Sequence, residues 1–244
     1  MARTGLFSDV HGNLAALQAV LAKLEMERCD SLVCLGDTVG YGPCPVQCIE
    51  LLREREIPCL MGNHDQYVTL LMDPSLERLR EDIRHSVQWT QNQLNMETLK
   101  WLASLPMHLD MDGFAVVHGA FGPKPWIYCA NERSLAHNFD YQHMPLGFCG
   151  HSHVPLIGYV REGLPPAVEY LRITSVPNAP KTMVNVGSAG QPRDRDSRAC
   201  CVVYDDAARS ITIHRVSYDI GKTRDLIIAA GLPERFAARL AIGR

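Results

Sequence analysis

Five short stretches combine carboxylate, amide and imidazole side chains: Asp9-Val10-His11, Gly36-Asp37, Gly62-Asn63-His64-Asp65, Val117-His118-Gly119 and Gly150-His151-Ser152-His153. Carboxylate oxygen, amide oxygen and imidazole nitrogen together suit manganese, iron or zinc, and the lack of thiolate among them argues against a purely structural zinc site. Asp9 and His11 stand two apart, as do His151 and His153. In extended backbone the members of such a pair point the same way, whereas on a helix they would diverge. The set holds more candidates than one ion needs, which favours two ions sharing a ligand. Asp37, with its two carboxylate oxygens, is the natural bridge.

Each stretch follows a predicted strand. Residues 3–7 precede Asp9, the apolar run 31–35 precedes Asp37, and residues 57–61 precede Asn63. Asp37 enters the glycine-rich turn 38–43, whose glycines keep side chains from crowding its carboxylate. Leu14, Leu17, Val20, Leu21 and Leu24 recur at helical spacing and predict a helix over 13–27, while Pro43 opens a second one to about residue 55. The order β-α-β-α-β brings the strand ends to one sheet edge, where open α/β sheets keep their chemistry.

Residues 66–105 read as a helical insertion beside the site. Within it Leu76, Leu79, Ile83, Val87, Thr90 and Leu94 mark one stripe, and His85 falls off it. Strands resume over 107–110 and 114–117, the second delivering His118. A helix over 132–139 and a strand over 146–149 lead to His151 and His153. The pattern is then mostly β, over 155–160, 167–173, 182–186, 199–205 and 210–216, and helices over 219–230 and 233–241 close a single expected domain, 1–244.

The 244 residues, 46% of them hydrophobic, suffice for a sizeable core. A formal charge of -3 does not indicate nucleic acid, which stays open as a partner through a local basic groove. Residues 1–8 run directly into a strand pattern, and no apolar run approaches the roughly 18 residues of a membrane span. The expectation is a cytoplasmic protein with no membrane partner. Nine cysteines without a C-x-x-C pair read as reduced thiols, and Cys44 and Cys48 lack the further ligands a zinc site needs. His85, His108, His137, His143 and His214 have no motif neighbours and read as structural or surface residues.

The five motifs, in this order, resemble the calcineurin-like metallophosphoesterase superfamily from residue 6 to about 200. The turn 36–45 and the segment from Asn185 to Arg193 look like a branch of small prokaryotic phosphodiesterase-like members. The resemblance implies an α/β fold, a four-layer α/β/β/α sandwich, and two divalent ions (Mn, Fe, Ni or Zn, with Mn the first choice). It assigns Asp9, His11, Asp37 and His153 to one ion and Asp37, Asn63, His118 and His151 to the other. It implies a small phosphorylated substrate, most readily a phosphodiester, attacked by a hydroxide bridging the ions. His64 would bind the phosphate or protonate the leaving oxygen, with Asp65 orienting it. Protein phosphatases of the superfamily have Asp-Arg where this chain has Gly40-Tyr41, so Arg193 is the candidate replacement for substrate contact, with Tyr41 a candidate stacking residue. A phosphomonoesterase, a nucleoside-polyphosphate hydrolase and a non-catalytic scaffold are the alternatives. The oligomeric state is left open.

Overall fold

Strand β1 (Arg3–Phe7) runs into helix α1 (Leu14–Met26), which Asn13 caps by accepting a hydrogen bond from the Ala16 amide. A computed structural model describes residues 2–71 and 73–244; Met1, and Met72 within the predicted insertion, lie outside the described residues. Strand β2 (Ser31–Cys34) follows, then α2 (Pro45–Glu54), which begins at Pro45 rather than Pro43 because Cys44 is non-helical (φ -124°, ψ 51°) and caps it, leaving proline at the first helical position, which it suits.

The strand expected over 57–61 is reduced to one bridge between Cys34 and Cys59. Pro58 has no amide to donate, and the Met61 amide turns away to the Pro106 carbonyl, so the ladder cannot extend. Asn63, His64 and Asp65 therefore open a helix, α3 (Asn63–Thr69). The stripe from Leu76 to Leu94 splits into a short 3-10 turn (Pro74–Arg78) and α4 (Glu81–Gln93), because Leu79 and Arg80 are extended; α5 (Met96–Ala103) completes the helical block.

The remaining elements are β3 (His108–Met111), β4 (Phe114–Val117), α6 (Glu132–Tyr141), β5 (Leu146–Cys149), β6 (Leu156–Arg161), β7 (Leu164–Tyr170), β8 (Thr174–Ser175), β9 (Thr182–Asn185), β10 (Ala199–Asp205), β11 (Ser210–Val216), α7 (Ile220–Ala229) and α8 (Glu234–Leu240). The single strand expected over 167–173 is instead the end of β7 followed by β8, which pairs in the other sheet.

Two sheets result, ordered β2-β1-β10-β11-β8 and β3-β4-β5-β9-β6-β7. Side-chain alternation assigns their faces. Leu6, Val202 and Tyr204 point inward to meet Val116, Phe148 and Val184 of the second sheet. Their neighbours Phe7, Cys201 and Val203 point outward onto Leu17, Val20 and Leu24 of α1. On the far side Val117, Cys149 and Met183 meet Leu135 and Phe139 of α6. The layers are α/β/β/α. Each fully buried large side chain in these clusters contributes about 1.5–3 kcal/mol.

β1 and β2 are parallel, as are β4, β5 and β9, so five strands finish at a common edge. The block α3–α5 packs on Val39 and Ile49 beside it, and α7–α8 close on Tyr41. Among the described residues no helix is long and apolar enough to cross a membrane.

Candidate metal centre

The strands stop before the functional residues begin, and the chain turns sharply. Asp9, His11, Asp37, His151 and His153 all adopt left-handed backbone, with φ of 55°, 49°, 53°, 66° and 60°. The extended geometry expected for the two spaced pairs is thus replaced by paired left-handed residues, each costing on the order of 1–3 kcal/mol. Hydrogen bonds hold them there. The Asp9 amide donates to the Gly36 carbonyl (2.9 Å), the His11 amide to the Asp37 carbonyl (2.9 Å) and the His151 amide to Asp9 Oδ2 (3.0 Å). A Cβ at Gly62 would overlap the Asp37 carboxylate, so only glycine allows that approach.

Two buried triads form: Asp9, His11 and His153, and Asp37, His118 and His151, the ligand atoms of each within 4.8 Å of one another. Asp37 stands between them, its Oδ2 3.6 Å from His11 Nε2 and 3.4 Å from His118 Nε2. Its Oδ1 accepts the His64 amide at 2.8 Å.

All four imidazoles are oriented from behind by main-chain carbonyls. Nδ1 donates to Val39 in His11 (3.0 Å), to Leu35 in His118 (2.8 Å) and to Gln191 in His153 (2.6 Å), while His151 donates through Nε2 to Trp126 (3.0 Å). Carbonyls only accept, so the tautomers are assigned from these bonds. The opposite nitrogens then face each other with lone pairs inward, 3.3 Å apart for His11 and His153 and 3.2 Å for His118 and His151. Facing lone pairs repel unless a cation or proton lies between them. Asp9 Oδ1 and Asn63 Oδ1 are also buried without a hydrogen-bond partner. Oriented imidazoles, orphaned oxygens and two carboxylates fit divalent cations.

In the metal-free chain burial would lower His118, but the Asp37 carboxylate overrides it and pushes the imidazole up to about 10. Burial likewise favours the neutral form of Asp37, yet His118 and His64 hold it well below the usual carboxylate range. Burial raises Asp9 to about 7, with Asp37 adding to the effect, and burial lowers His64 to about 4 and His151 to about 3.

The other predicted residues surround this cluster unevenly. The His64 ring lies 5.0 Å from His11 and 4.5 Å from Tyr41 between ring centroids. Asp65 does not reach that ring. Its carboxylate accepts the amides of Val39 (3.1 Å) and Gly62 (3.0 Å), so it holds the turn after Asp37 and the start of α3 rather than orienting His64. Tyr41 is buried between His11 and Phe236, and the Arg193 guanidinium lies 5.8 Å over its ring. His85, His108, His137, His143 and His214 take no part in either triad.

Sequence reasoning missed the carbonyls of Val39, Leu35, Trp126 and Gln191, because main-chain acceptors carry no residue signature. It also missed Tyr128, stacked on His151 at 4.1 Å.

Residues 2–207 match the sequence profile of the calcineurin-like phosphoesterase superfamily domain. An uncharacterized protein of Methanocaldococcus jannaschii, MJ0912, is 35% identical over 98% of this chain and 97% of its own length. The crystal structure of a metallophosphoesterase from Sphaerobacter thermophilus superposes with a TM-score of 0.84 at 38% identity, covering 100% of this chain and 99% of that one. That of the hypothetical protein PH1004 from Pyrococcus horikoshii OT3 superposes at 0.82 over 100% and 99%; at 21% identity it speaks for the fold alone.

Proposed function

The chain belongs to the calcineurin-like phosphoesterase superfamily and is a metal-dependent phosphoric ester hydrolase; from that premise we propose that it hydrolyses phosphodiesters in the cytoplasm. Asp9, His11 and His153 would hold one ion and Asn63, His118 and His151 the other, with Asp37 shared. Two divalent cations there would supply positive charge to phosphoryl oxygens and lower the pKa of bound water toward neutrality. Manganese is the first ion to test.

The protein's own groups do the remaining work. Four carbonyl-anchored imidazoles and the strained turns keep the ligands preorganised, so little reorganisation accompanies reaction. His64 keeps a neutral ring beside His11, its Nδ1 free of any hydrogen-bond partner, and its N–H would donate to a phosphoryl or leaving-group oxygen. Asp65 fixes the position of that ring indirectly, by tying the amides of Gly62 and Val39. Gly40 and Tyr41 stand where protein phosphatases of the superfamily carry Asp and Arg, which supports a monoanionic diester over a dianionic phosphoprotein. Arg193, half-buried beside Tyr41, supports the second reading, a monoester or nucleoside-polyphosphate substrate.

The observation that carries the proposal is the shared position of Asp37 Oδ2 between two inward-facing triads. The test is turnover of bis(p-nitrophenyl) phosphate beside the monoester, after stripping and restoring Mn, Ni or Zn. Diester turnover dependent on metal is expected, and monoester-only turnover would overturn the diester assignment.

A further inference from the structure

On the flank of the centre that carries His11 and His64, the Arg193 guanidinium lies 5.8 Å over the Tyr41 ring, and Arg80, Arg235 and Arg239 stand close enough for their charges to act on one another. Two of them share one acid. Arg80 lies 3.4 Å from Asp82, and Arg235 pairs with the same carboxylate. The other two have no side-chain acid among the described residues. Asp194 is committed to Arg215, and Asp196 to Arg198 and Arg215. Among the described residues no Asp or Glu comes within ion-pair distance of Arg193 or Arg239.

Arg193 donates through Nη2 to Gln191 Oε1 (2.8 Å), and its Nε is buried without a partner. Arg239 stands one turn after Phe236 on α8, and Phe236 packs edge-on against Tyr41 at 4.9 Å, so the same helix face carries Arg239 toward that ring. Its Nε donates to a terminal carboxylate oxygen of Arg244 at 2.5 Å, which accounts for one of its five N–H groups and leaves the others free to take a phosphate. Burial and the neighbouring Arg193 charge push Arg239 down to about 10. Two half-buried like charges repel each other unless an anion joins them.

We propose that Arg193 and Arg239 form a second anion subsite, which holds a phosphate of the substrate other than the one hydrolysed. The inference rests on the centre being a phosphoester site and does not depend on the diester preference. Guanidinium forks match phosphate oxygens in pairs, and the Tyr41 ring between the subsite and His11 separates the two phosphates. Substrates carrying two phosphates are thereby selected over those carrying one.

Equilibrium binding of thymidine 5′-phosphate and thymidine 3′,5′-bisphosphate to the Mn-loaded protein tests this without requiring turnover. The bisphosphate is expected to bind about tenfold or more tightly, as a charge-assisted pair implies. Arg239→Gln and Arg193→Gln should each close that gap, and Arg239→Lys, which keeps the charge but not the fork, should restore part of it. Melting temperature and metal content report whether each variant is folded. Equal affinities in the parent protein, or a gap that survives in Arg239→Gln, would overturn the proposal. So would an equal weakening of both ligands in the glutamine variants, which would assign the arginines to the scissile phosphate. Failure to hydrolyse bis(p-nitrophenyl) phosphate beside an intact gap would count against the diester assignment and leave the subsite standing.

Discussion

Adding one methyl group at Gly40 should disable the centre without touching a metal ligand. Gly40 has φ of +86°, and a Cβ there would lie 2.7 Å from His64 Nδ1 and 3.1 Å from His64 Cβ and Cγ. Ordinary contact begins at 3.4 Å, so the imidazole must retreat by about 0.7 Å. It has little room, because Tyr41, His11 and Tyr67 surround it and its own amide is held by Asp37. The left-handed backbone adds about 1–2 kcal/mol of strain for any residue with a Cβ. Gly40→Ala should therefore lower Tm by about 2–8 °C. A displacement approaching 1 Å should lower kcat roughly 10- to 100-fold. Bound metal should stay at the parent level, since His64 belongs to neither triad. Steady-state kinetics with bis(p-nitrophenyl) phosphate and elemental analysis read these quantities. The decisive comparison is the same substitution in a His64→Ala background, where the ring contacts are gone and only the 3.1 Å approach to the Cβ of residue 64 remains, so Gly40→Ala should cost little further activity. A full additional loss in that background, or parent-like kcat in Gly40→Ala alone, would refute the reasoning.

In the metal-free chain His118 is raised from 6.5 to about 10 by Asp37, so the stabilisation from this pair is complete below pH 6.5 and lost as pH rises through about 10. A cation must displace that proton; calorimetry at pH 8 in buffers of different ionisation enthalpy should show proton release on metal uptake, with affinity climbing as pH rises, and no release would contradict the assignment. Asp65→Ala leaves the buried amides of Gly62 and Val39 unpaired, at about 1–3 kcal/mol each, and denaturant unfolding should show the loss, whereas Asp65→Asn, which can still accept, should lose less. Phe148→Ala, between Phe114 and Tyr204 in the inter-sheet core, should cost about 3–5 kcal/mol and lower Tm by roughly 6–20 °C; a change under about 2 °C would contradict that packing.

The motifs announced their own convergence because each combines ligand-type residues with a glycine that permits a tight turn. The resemblance implied the α/β/β/α layering, and the alternating strands and helices of the first half with the strand-rich second half agreed with it. What the sequence hid was conformational. Spacing of two suggested extended backbone at Asp9-Val10-His11, but left-handed turns deliver the same convergence, and no residue type other than glycine advertises them. The run 57–61 looked like a strand because Ile57, Leu60 and Met61 are apolar, yet Pro58 and the partner at Pro106 override that preference. Asp65 was legible as a site residue and not as a ligand of two amides, since its partner Val39 is fixed by tertiary contact. Arg239 lies beyond the matched family region and carries no motif; only the fold of α8 onto Tyr41 brings it near the centre.

The most direct test of the two-ion account is a titration of Mn into stripped protein, following bound ions and bis(p-nitrophenyl) phosphate turnover together, with Asp37→Asn in parallel. Two ions per chain are predicted, with turnover beginning only as the second binds, and Asp37→Asn should hold fewer ions and show no turnover. Full turnover with one ion bound, or parent-like loading and activity in Asp37→Asn, would contradict it.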